Sequence, residues 1–182
     1  MRHAAFPDGV TREGLIAWYR DLRARSKELL AMIAPEAYYE RPIALRNPIV
    51  FYEGHLPAFA VNTLVKAAHR RPGLDRDFEM LFARGIDPES EEAAKSPTDV
   101  WPSRAEVQAY GDAAEALILD LLGNAPLEDD AVPHLRGGEA VFTILEHEAM
   151  HQETLLYMLH NLPHALKSGV RWQRHRSESV MK

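Results

Sequence analysis

The apolar positions of this chain repeat with one period almost throughout. Between about Thr11 and Ile33, residues Leu15, Tyr19, Leu22, Ser26, Leu29 and Ile33 recur at alternating steps of three and four, which places them on one stripe of an α-helix. Pro35 stops this run. A second run opens at Asn47, read as an N-cap, with Pro48 in the first helical position. It carries Phe51, His55, Phe59 and Asn62 along one side, and Pro57 is expected to bend it. A third follows Trp101-Pro102, where Ser103 and Glu106 form the pattern of a capping box. It continues through Val107, Tyr110, Ala114, Leu117 and Leu121 to a stop at Gly123-Asn124. The fourth follows Arg136-Gly137-Gly138 and runs through Ile144, His147, His151, Leu155 and Met158 to about Leu162, before Pro163.

No stretch alternates with the period of a strand. Four helices of this kind pack most simply as an all-α, antiparallel four-helix bundle. The connection between helices two and three, from about Arg70 to Val100, is longer than such a bundle requires, and a short helical turn is expected within it near Phe78 to Phe82. It brings Arg70, Arg71, Arg76 and Arg84, of which Arg84 is taken forward as a candidate contact for an anionic substrate. The bundle is assigned to residues 1–163 and the remainder, 164–182, to a basic tail or linker stub.

Composition narrows the chemistry. At 182 residues the chain is long enough for one domain with a substantial core. Its 46% hydrophobic and 26% charged residues are ordinary for a globular protein. No apolar run approaches the roughly 18 to 20 residues needed to span a bilayer, and no signal-peptide pattern opens the chain, so a cytoplasmic protein without a membrane segment is expected. A net charge of -6 argues against nucleic acid as a partner. Cysteine is absent, which leaves His, Asp and Glu as the strong metal ligands. Residues four apart on a helix project from one side, roughly 40° apart, so His147 and His151 can aim at one ion. His55, between Phe51 and Phe59 on the apolar side of helix two, is the best third ligand, because a histidine buried there without a partner is costly.

His147-Glu148-Ala149-Met150-His151 also satisfies H-E-x-x-H, the zinc peptidase signature, with Glu148 as the general base. The longer metzincin form needs glycine and histidine where this chain has Thr154 and Tyr157. No strand is expected to hold a peptide beside the site, and the peptidase reading is set aside for a three-histidine site.

Arg46-Asn47-Pro48-Ile49-Val50-Phe51-Tyr52-Glu53-Gly54-His55, taken with His147-Glu148-Ala149-Met150-His151-Gln152-Glu153-Thr154, resembles the DinB-like helical domain of the non-heme iron sulfoxide synthases of ergothioneine and ovothiol biosynthesis. Phe78 to Asp87 and Trp101 to Tyr110 are similar to the loop and third helix of that domain. The resemblance implies a DinB-like bundle in which His55, His147 and His151 form a three-histidine face on iron(II). It also implies a cysteine-type thiol and a histidine-derived imidazole as substrates, joined by a C–S bond with oxidation to the sulfoxide. Glu153 completes the family motif but lies about 200° around the helix from His151, so it is assigned to packing or to a supporting hydrogen bond, while Glu148 is nearer the ligand face and suited to orient a ring nitrogen. Tyr52 and Asn62 are further candidate substrate contacts.

Family members carry a second, formylglycine-generating-enzyme-like domain, for which this sequence is too short, so the expectations are that the chain is an excised domain or that it works with a separately encoded partner of that kind. Two alternatives remain open: a stand-alone DinB-like thiol transferase using zinc or nickel, and a non-catalytic partner-binding bundle with a structural metal. Imidazole ligands suit iron, zinc and nickel alike.

Overall fold

The computed structural model describes residues 9–83 and 101–168. Among these the regular structure is helical, apart from one isolated antiparallel bridge between Ile33 and Lys167. Helix α1 spans Arg12–Ala31, opened by the Thr11 side chain, which accepts a hydrogen bond from the Gly14 N–H at 3.1 Å. All six residues of its predicted stripe are buried. Helix α2 spans Ile49–Ala60 and continues without a break through the π-helical Val61–Ala68. Asp75 caps a short α3, Arg76–Leu81, close to the helical turn expected in the connection. Helix α4, Arg104–Asn124, begins at the expected capping box of Ser103 and Glu106. Helix α5 spans Glu139–Asn161 and carries His147 and His151. Gly137 and Gly138 precede it at φ 60° and 73°, a left-handed pair that glycine adopts at little cost.

Two local expectations are corrected. Asn47 is not the N-cap of α2; Pro48 occupies that position without a side-chain cap. The first N–H groups are satisfied by backbone instead: Ile49 N–H donates to the Glu40 carbonyl at 3.1 Å, and Val50 N–H to the Tyr38 carbonyl at 3.0 Å. Pro57 lies inside α2, and four residues beyond it the hydrogen-bond pattern widens to the π form. In α4, Ile118 takes the fully buried place expected of Leu117, which is only half-buried.

Long-range contacts give the helix order. Arg104 and Gln108 of α4 bond Glu53 of α2, and a Cβ on Gly111 would touch Pro57, so α2 and α4 run the same way. Lys27 of α1 pairs with Asp112 and Glu115, while Arg12, nearer the start of α1, bonds the carbonyls of Leu122 and Ala125. Helices α1 and α4 are therefore antiparallel. The chain runs up in α1, down in α2, down in α4 and up in α5, each pair α1–α2 and α4–α5 being antiparallel. A parallel α2–α4 pair requires the connection to return toward the start of α2, and its described part does so: the Phe82 ring lies 6.0 Å from that of Trp101, just before α4.

The hydrophobic core divides in two. One cluster joins Leu15, Tyr19 and Leu22 to Val61, Ile118 and Val141; the other joins Leu29, Phe51 and Tyr52 to Val107, Leu155 and Met158. Between them lies a layer of buried polar side chains: Arg23, Ser26, His55, Glu148, His151 and Gln152. The residues after Pro163 fold back on α1: Ala34 N–H donates to the Leu166 carbonyl at 3.0 Å and Ser168 N–H to the Met32 carbonyl at 2.8 Å.

The capping box gives a direct test of how α4 is held. Ser103→Ala should cost about 1 kcal/mol, read as a lower denaturant midpoint with an unchanged slope.

Candidate metal centre

His55 on α2 and His147 and His151 on α5 come together across the interface of two antiparallel helices. One ligand atom from each lies within 4.8 Å of the other two. The Nε2 of His147 sits 3.1 Å from the Nε2 of His55 and 3.1 Å from that of His151. With metal–nitrogen bonds of about 2.0–2.1 Å, ligands at right angles lie about 2.9 Å apart and tetrahedral ones about 3.4 Å apart. The observed separations thus suit a single ion.

Hydrogen-bond chemistry supports the same fit. The His55 Nδ1 lies 2.7 Å from the Phe82 carbonyl oxygen, which can only accept, so Nδ1 carries the proton and Nε2 presents a lone pair. Neutral rings then satisfy the two Nε2 contacts of His147 poorly: a single Nε2–H would have to be shared between His55 and His151, and if Nε2 keeps its lone pair it faces another on His55. A cation at the convergence resolves the conflict. The His151 Nδ1 is buried without a hydrogen-bond partner.

Local sequence builds this arrangement. Gly54 directly precedes His55, and a Cβ there would meet the Phe82 ring at 2.3–2.5 Å. Only glycine lets Phe82 cross α2 so closely, and that approach delivers the carbonyl to His55. Aromatic faces hold the rings: Phe51 stacks on His55 at 4.9 Å between centroids, and Phe59 on His147 at 3.5 Å with an interplanar angle of 8°. Burial pushes the His147 pKa down to about 2, helped by His151 and His55, and that of His151 down to about 3, helped by His55 and Arg46. Burial also lowers His55, outweighing the Phe82 carbonyl and Glu148, which act in the opposite direction. All three rings are neutral near pH 7, the form that ligates metal.

The other candidate residues are placed as follows. Glu148 is buried and turned toward α1, where it accepts from Arg23 Nη1 at 2.9 Å. Glu153 is exposed on the opposite side of α5. Tyr52 is fully buried, its ring centroid 5.7 Å from that of His151. Asn62 is half-buried and donates to the Glu79 carbonyl at 3.3 Å. It also lines a cavity of about 580 Å³ that begins at His55 and Phe59 and reaches Lys66, Phe82 and Thr143, a size typical of small-molecule sites. Arg84 lies outside the described residues, while Arg70, Arg71 and Arg76 are exposed.

Sequence reasoning missed Gly54, the Phe82 carbonyl, Phe59 as a stacking partner and Arg23. Gly54 alone carried a signal, as a helix-breaking residue inside a strongly apolar helix and next to a candidate ligand.

The sequence model of the DinB superfamily matches residues 18–155. The chain belongs to that superfamily. Ergothioneine biosynthesis protein 1 of Neurospora crassa is 34% identical over 133 residues, covering 70% of this chain and 15% of that protein. The protein of the same name from Schizosaccharomyces pombe is 32% identical over 129 residues, covering 66% of this chain and 16% of that protein. The chain therefore spans about a sixth of the length of the curated relatives it matches.

Two outcomes follow from the DinB bundle's histidine site. Gly54→Ala should displace Phe82, free the His55 ring and weaken zinc or cobalt binding about tenfold or more, measured by competition with a chromophoric chelator. The second concerns pH. The folded rings titrate below their unfolded value of about 6.5, so the unfolded chain binds more protons between the two, and stability rises with pH there. Metal-free protein should accordingly lose denaturant resistance as pH falls from about 7 to 5, and His147→Phe should make that loss shallower.

Proposed function

We propose that this bundle is the metal-binding domain of a non-heme iron(II), oxygen-dependent sulfoxide synthase of the ergothioneine or ovothiol type. The observation that carries the reading is the convergence of three neutral imidazoles on one point, in a chain about a third identical to two ergothioneine biosynthesis proteins. His55, His147 and His151 would hold the ion. Iron(II) held there would supply a Lewis-acidic, redox-active centre suited to thiol oxidation by dioxygen.

The overall change balances without another reductant. A thiol S–H and an imidazole C–H bond break, and a C–S and an S–O bond form. Dioxygen accepts four electrons, and its second oxygen leaves as water. The residues of this chain would aim the ligands and exclude water from one side through Phe51, Phe59 and Phe82. The cavity beside His55, with Asn62 on its wall, would admit part of a substrate; Tyr52 and Arg84 are further proposed contacts. A formylglycine-generating-enzyme-like domain, in the same protein or a separate one, would complete the pocket, with residues 1–163 forming the bundle and 164–182 a tail or linker whose first residues pack on α1.

A second reading follows from the fact that all three candidate ligands lie within this one chain. A zinc- or nickel-dependent thiol transferase would need no further domain, the metal binding a low-molecular-weight thiol as thiolate.

Metal analysis separates the two. Protein purified without oxygen should contain close to one iron per chain, and His147→Ala should lose it. Mixing the iron form with a cysteine-type thiol, hercynine or histidine, and air should yield sulfoxide with matching oxygen uptake, dependent on or enhanced by the second domain. Tightly held zinc with thiol transfer and no oxygen uptake would establish the transferase in its place.

A further inference from the structure

Helix α5 presents two adjacent columns to two different neighbours. His147 and His151 face α2, while Glu148 and Gln152, each one position later, face α1. The second column is polar and directional. Glu148 accepts from Arg23 Nη1 at 2.9 Å, and the Gln152 amide donates to the Leu22 carbonyl at 2.8 Å and to Ser26 Oγ at 3.1 Å. Arg23 and Glu148 are 5% and 2% exposed, and Glu115 lies 3.7 Å from Arg23 Nε on the α4 side.

A buried ion pair is a poor way to stabilise a bundle. Apolar residues of similar volume do as well or better at such positions, whereas removing one partner alone is costly. The pair occupies the polar layer that also holds the histidines, and Glu148 is bonded to His147 through the chain.

We infer that Arg23 and Glu148 are a positioning pair for the metal centre: Arg23 fixes the Glu148 carboxylate beside three neutral ligands, and the bond sets the rotation of α5 that aims His147 and His151 at His55. This rests on the metal reading above. Three imidazoles bring no charge to a divalent ion, and the cluster of Arg23 with Glu148 and Glu115 carries one more negative charge than positive, which favours the bound state electrostatically. Rotation matters because one residue of slip on a helix turns a side chain by about 100°. Arg23 acts through Glu148 and α5 and needs no contact with substrate.

The test separates positioning from stability. Arg23→Met, Glu148→Met and the double variant would be compared with the wild-type chain in two measurements: unfolding of the metal-free protein, and affinity for cobalt(II) by chelator competition, with the cobalt absorption spectrum recorded. Each single variant should lose stability, and the double variant should recover it. Cobalt affinity should nevertheless stay about 10- to 100-fold weaker in the double variant, with an altered ligand-field spectrum. A double variant that binds cobalt as tightly as wild type, with the same spectrum, overturns the inference. Should the double variant fail to fold, Glu148→Gln keeps a hydrogen-bonding group for Arg23 and removes the charge; weakened cobalt binding supports the pair, and unchanged binding overturns it. A wild-type chain that takes up no cobalt, zinc or iron would overturn the metal reading itself and this inference with it. Tight wild-type binding with unaffected variants would overturn this inference alone.

Discussion

A layer of buried polar groups crosses the middle of the bundle, and the contacts between α1 and α5 are arranged to satisfy it. Instead of one continuous hydrocarbon core there are two clusters, with Arg23, Ser26, Glu148, Gln152, His55 and His151 buried as well and His147 half-buried beside them, and buried polar groups are costly unless paired. The α1–α5 side is closed by direct hydrogen bonds. On the α2–α5 side the rings meet nitrogen to nitrogen, an arrangement that neutral imidazoles satisfy poorly among themselves. The contrast between a closed side and an open one within a single layer is what makes the three histidines a group that could hold a metal ion.

Much of the architecture was legible because it is written in local periodicity. The α1 stripe from Leu15 to Ile33, the Ser103–Glu106 box and the glycine pair before α5 each depend on residues within a few positions of one another. The histidine pair was legible for the same reason, since a spacing of four on a helix fixes a shared direction. His55 required one more step, its position among aromatic residues on an apolar face.

What escaped the sequence is nonlocal. Asn47 has the chemistry of a cap, yet the N-terminus of α2 is satisfied by carbonyls of Tyr38 and Glu40, which only the folded loop brings near. The parallel course of α2 and α4 is set by contacts such as Glu53 with Arg104, and it requires the connection to run back beside α2, where Phe82 meets both His55 and Trp101. Phe82 reaches His55 across 27 positions and Arg23 reaches Glu148 across 125. No pattern within either segment announces the other.

The π-helical stretch Val61–Ala68 also bears on how the site tolerates change in chain length. Wide turns of this kind take up one surplus residue without ending the helix, and here they begin six positions after His55. Extra rotation is therefore absorbed downstream of the ligand and upstream of the connection. An added residue in this part of α2 can be accommodated by moving the cavity wall near Lys66, whereas the same addition between Ile49 and Gly54 would swing the His55 ring away from α5. The two ends of one continuous helix thus differ in evolutionary freedom: one can drift in register while the other is held to it.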